Sequence, residues 1–198
     1  MSADVALVLS SVSSTVRWAA FDIESGRTLD SRSWNDDQSR ALSDSLGREL
    51  DSMKIDLSQV RAVCVLTGPG AFTGLRMGVA FAMGLARGLG TRLVAIPTWN
   101  LFEKPFYIPT RHQLSKKLSL KECLEQSLEF MHVKASDDVA LEAPNEQDLV
   151  MGTIETPDWP QLDELVSAAR RRLSKDSSAD DSSVQIFYGM EPKISGQR

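Results

Sequence analysis

One segment constrains this chain more than any other. Residues 68–90 read GPGAFTGLRMGVAFAMGLARGLG, a glycine-rich turn that runs into a helix-forming stretch. Gly74, Gly78, Ala82, Ala86 and Gly90 recur at every fourth position, so one helix face carries almost no side chain. A glycine inside a helix costs roughly 1 kcal/mol relative to alanine. Gly78, Gly84 and Gly88 therefore need close packing to offset them. The other faces carry Leu75, Met77, Val79, Phe81, Met83, Leu85 and Leu89, with only Arg76 and Arg87 charged. A helix that is apolar nearly all round is covered nearly all round. A sheet of the same chain accounts for one side. A neighbouring helix of this chain or a partner must account for the other. The partner is favoured, because the other N-terminal helix, over 38–53, has one narrow apolar stripe of Leu42, Leu46, Leu50 and Met53.

The loop that opens the helix follows an apolar run at 61–66, a context in which backbone amides can cradle an anion. Its spacing does not fit the known phosphate fingerprints. No Lys-Ser/Thr pair follows the glycines, and Gly68, Gly70 and Gly74 miss the G-x-G-x-x-G spacing. Pro69 also removes one amide donor. The competing reading is a tight turn whose backbone needs glycine.

Around this segment the pattern is regular. Residues 5–9, 16–23 and 27–34 read as three strands, the last two joined by the hairpin signal Glu24-Ser25-Gly26. The helix over 38–53, with Asp36, Asp37 and Ser39 as capping candidates, a strand at 61–66, the long helix and a strand at 92–96 complete the order β-β-β-α-β-α-β. A meander followed by helical crossovers predicts an α/β fold with a mixed sheet. Beyond residue 103 the signals thin out. Residues 104–119 read as loop with a short extended piece, 120–131 as helical spacing, and 139–142 and 149–154 as short strands. Residues 160–173 form an amphipathic helix ending in Arg170-Arg171-Arg172, where cations suit the helix dipole or contact a phosphate. A polar low-complexity run over 174–183 reads as a loop, and 184–188 as a last strand. The division is an N-terminal lobe over 1–103 and a smaller lobe over 104–198.

The net charge is -5, which disfavours autonomous binding to nucleic acid. The opening residues MSADVALVLSS lack a basic leader and read as a strand, and no apolar run is long enough to span a membrane. Cys64 and Cys123 have no metal-site or disulfide spacing, and a reducing, cytoplasmic setting fits them. His112 and His132, the only histidines, lie twenty residues apart with no carboxylate or cysteine at ligand spacing. No serine lies in a G-x-S-x-G elbow. Catalytic, metal and cofactor sites are therefore not expected.

The stretch GPGAFTGLRMG, over 68–78, resembles the GPGSFTGVRIG-type signature of the TsaB (YeaZ) family. That family is the dimerisation subunit of the bacterial machinery that makes threonylcarbamoyladenosine in tRNA. The opening meander and LVAIPTWNL, over 93–101, extend the likeness. The resemblance implies an actin-like ATPase (ASKHA, RNase H-like) fold with a reduced second lobe. It implies a heterodimer with the catalytic TsaD-type paralogue through the first two helices of each partner, recruitment of a TsaE-type ATPase, and contact with tRNA only through the complex. The interface candidates are Leu42, Leu46, Thr73, Gly74, Met77, Gly78, Phe81, Ala82 and Ala86. The expected role is a non-catalytic scaffold; the alternatives are a self-associating homodimer and a small ASKHA-fold ATPase or kinase. This chain departs from the family pattern at Ser10-Ser11, where an Asp-Thr pair is usual, at 36–39, at Ala71 and at 108–113. Those departures remove ligands for phosphate and metal.

Overall fold

A computed structural model describes residues 4–13, 15–34, 52, 55–68, 70–101, 106–109, 121, 125, 130–133, 139–141, 144, 160–175 and 184–186. The first hundred residues build a five-stranded sheet. β1 (Val5–Ser10), β2 (Val16–Asp22) and β3 (Thr28–Trp34) form an antiparallel meander. β4 (Val60–Leu66) then runs parallel to β1, and β5 (Arg92–Ile96) parallel to β4, giving the order β3-β2-β1-β4-β5. Helix α1 (Phe72–Leu89) links β4 to β5, as a parallel crossover requires.

The central strands are apolar without alternation because both faces are covered. Val5, Leu7 and Leu9 of β1, with Val63 and Val65 of β4, meet Val79, Ala82 and Ala86 of α1. Ala6, Val8, Ala62, Cys64 and Leu66 point the other way and meet Leu165, Val166, Ala169 and Leu173 of a second helix, α2 (Leu162–Lys175). The expected C-terminal helix therefore belongs to the core of the first sheet, although a long stretch of sequence separates them. Each fully buried Val or Leu side chain contributes about 1.5–3 kcal/mol. Burial pushes the Cys64 thiol up to about 12, so it stays a neutral core group.

Local chemistry sets the ends of these elements. Asp22 closes the β2–β3 hairpin, its Oδ1 accepting from the amide and hydroxyl of Ser25 at 2.7 and 2.6 Å. α1 stops at Gly90, whose φ of 63° is left-handed and whose amide returns to the last turn. At the start of α2, the Gln161 amide donates to Glu164 Oε2 at 2.9 Å, one half of a capping box.

A second sheet, β6 (Phe106–Pro109), β7 (Phe130–Val133) and β8 (Val139–Leu141), is antiparallel throughout. Met131, expected at the end of a helix, lies in β7 opposite Ile108 and Leu141. Cross-strand pairing on both sides overrides its helical spacing. Residues 184–186 carry no strand, but Val184 and Ile186 pack against the core. The helix expected at 38–53, apart from Ser52, lies outside the described residues, as does the strand at 149–154; of the loop expected over 174–183, Ser174 and Lys175 instead form the last residues of α2 and the rest lies outside the described residues. Among the described residues no helix is long and apolar enough to cross a membrane.

Candidate functional site

The carboxyl ends of β1, β4 and β5 meet at one end of the sheet, where open α/β sheets bind their ligands. The glycine loop lies there. Thr67 donates its amide to the Ile96 carbonyl at 3.0 Å, and Thr98 donates to Gly68 at 2.8 Å. The Ala71 amide donates to the Val12 carbonyl at 2.8 Å. The loop is thus sewn to the ends of β1 and β5. A Cβ added to Gly70 would stand 2.7 Å from both the Cβ and the carbonyl oxygen of Val12. One added to Gly78 would stand 2.0 Å from the Ser11 hydroxyl. These glycines are required because α1 and its loop lie directly on the end of β1.

Among the described residues the buried polar ones, Ser10, Ser11, Thr15, Arg17, Thr67 and Thr98, all gather at this same end. The Ser10, Ser11 and Thr98 hydroxyls have no hydrogen-bond partner among the described residues. The fold class implies a nucleotide in such a cleft, and the described residues do not fit one. Val12 fills the approach to Gly70, Pro69 has no amide to offer, and among the described residues the buried polar set holds no carboxylate for a metal ion. The loop works as a packing joint.

The other face of α1 differs. Thr73, Arg76, Ala80, Met83, Gly84, Arg87 and Gly88 are exposed, and Met77, Phe81, Leu85 and Leu89 are half-buried at the flanks. Met83, 41% exposed, is the one large hydrophobic side chain left in solvent among the described residues. Apart from the surrounding backbone of α1 itself, no described atom lies within 4 Å of the place a Cβ would take at Gly84 or Gly88. Arg76 lies over the ring of Phe72 at 5.5 Å, which fixes one charge near the start of this face.

The nine interface candidates are therefore divided. Gly74, Gly78, Ala82 and Ala86 are buried against the chain's own sheet, so the seam of small residues serves the monomer. At Gly78 the surface approached is Leu9 and Ser11 at the end of β1, and Ala82 and Ala86 share a cluster with side chains of β1, β4 and β5. Thr73 is exposed, Met77 and Phe81 border the open face, and Leu42 and Leu46 lie outside the described residues. Missed in the sequence was a second four-residue run, Ala80, Gly84 and Gly88, on the opposite side of α1. The arginines of α2 are spent inside the chain. Arg170 donates to the Glu24 carbonyl, Arg171 to Asn100 at 2.9 Å and Arg172 to Ala95 at 3.3 Å. They tie α2 to both sides of the sheet.

A mixed five-stranded sheet in the order β3-β2-β1-β4-β5, with α1 on one face and α2 on the other, is an α/β fold of the actin-like type. Comparison with solved structures agrees. The chain aligns with YeaZ from Pseudomonas aeruginosa at a TM-score of 0.62 and 16% identity, over 95% of this chain and 100% of that one. A second solved protein, described as uncharacterized and similar to the peptidase YeaZ from Pseudomonas aeruginosa, aligns at 0.63 and 16%, over 95% and 99%. The resemblance read from GPGAFTGLRMG is thus borne out in the fold. Residues 35–106 also match the family described as TsaD: tRNA N6-adenosine threonylcarbamoyltransferase. That segment spans β4, the glycine loop, α1 and β5. No curated protein matches the chain in sequence.

Proposed function

We propose that this chain is a non-catalytic scaffold subunit in the threonylcarbamoylation of tRNA. In this reading it docks on a TsaD-type catalytic partner through the outward face of α1, and a TsaE-type ATPase joins the pair. The observation that carries the reading is the pair Gly84 and Gly88. Both lie inside a helix, both are exposed, and no described contact within the chain requires a missing Cβ at either. Each costs roughly 1 kcal/mol relative to alanine, and an approaching partner helix offsets that cost by packing its backbone close. Met83 supplies exposed apolar area beside them. The YeaZ-like fold and the TsaD-type segment over 35–106 supply the chemistry of the partner. The closed glycine joint weighs against the ATPase or kinase alternative.

Reconstitution tests the reading. The chain, the catalytic paralogue, the ATPase and unmodified tRNA are mixed, and threonylcarbamoyladenosine is measured by mass spectrometry. Modification that depends on this chain is expected, with no turnover by the chain alone. Equal modification in its absence would remove it from the reaction. A homodimer remains the competing outcome, seen as a two-fold species that persists when the paralogue is added.

A further inference from the structure

Among the described residues the five-stranded sheet ends in two edges, β3 and β5. An open edge presents backbone groups that pair readily with a strand from another chain. On β3 the outward groups of Ser31 are already engaged. Its amide donates to Asp30 Oδ1 at 2.7 Å, and its carbonyl accepts from Arg32 Nη1 at 2.8 Å. Arg32 also pairs with Asp30, so two side chains close a ring around one edge position. Alternate residues of an antiparallel strand turn both backbone groups away from their neighbour, and these bonds mark Ser31 as such a residue.

We propose that Asp30 and Arg32 plug the β3 edge of the sheet against strand addition, so that another chain cannot extend the sheet from β3. The proposal stands independently of which partner docks on α1. The test compares wild type with the doubly substituted Asp30→Ala/Arg32→Ala chain by sedimentation velocity over a concentration series. Any species formed through α1 is common to both and cancels. The double variant is expected to gain a larger, concentration-dependent species, and adding Ser31→Pro is expected to abolish it, because proline offers no amide to an incoming strand. Unchanged sedimentation of the double variant, or a new species that survives Ser31→Pro, would overturn the proposal. Single Asp30→Ala, read by residue-resolved amide exchange, keeps the test open if the double variant loses its fold. Exchange at Ser31 is expected to rise about fivefold on loss of that hydrogen bond, and an unchanged rate would count against the plug.

Discussion

Glycines that look alike in the sequence do opposite work. Gly70 and Gly78 are pressed onto Val12 and Ser11, whereas Gly84 and Gly88 are exposed, with no other described element against them. Gly84→Ala and Gly88→Ala are each expected to stabilise the isolated chain by about 0.5–1 kcal/mol, because a helix favours alanine and no described atom resists the added methyl. Gly78→Ala is expected to destabilise it by about 1–3 kcal/mol through overpacking. Chemical denaturation of the three variants checks both signs. The Ser11 hydroxyl is buried without a described partner, so Ser11→Ala should be nearly neutral alone and should recover part of the Gly78→Ala loss. A double-mutant cycle measures that coupling. The four-residue spacing of the seam was legible from the sequence. Which side of the helix faced the sheet was not, because both sides carry small residues at the same spacing.

The elements were most legible where packing and local chemistry agree. The unbroken apolar run of β1 and the helix-forming run after Gly70 left little choice. Met131 was misread because its helical spacing competes with pairing to strands far away in sequence, which spacing cannot report. The β2–β3 hairpin shows local chemistry at work. The Ser25 hydroxyl, then the Ser25 amide, hold the Asp22 carboxyl below its ordinary value. A carboxyl depressed in the folded state contributes stability above its unfolded pKa and loses that contribution as the pH falls through its folded value. Ser25→Ala should therefore lower the melting temperature at neutral pH. The gap from wild type should close on acidification below about pH 4. A gap that does not vary with pH would mean that Ser25 acts by packing alone.

At the scale of the whole molecule, the order of the five strands and of α1 in the first half was readable, and with it the fold class. The placement of α2 was not, since no local signal tells a helix at 162–175 to cover a sheet made by residues 5–96. Its three arginines hold it there by bonds to backbone carbonyls, which any sequence supplies and no motif announces. The result is a sheet covered on both faces, with one side of α1 spent on the core and the other left outward. The account rests on that outward side. The most direct test is the affinity of the catalytic paralogue for wild type and for Gly84→Arg, with melting temperatures measured in parallel. The account predicts that Gly84→Arg weakens pairing at least about tenfold, roughly 1.4 kcal/mol, while the isolated chain melts as wild type does. Unchanged affinity in a folded Gly84→Arg chain would contradict it.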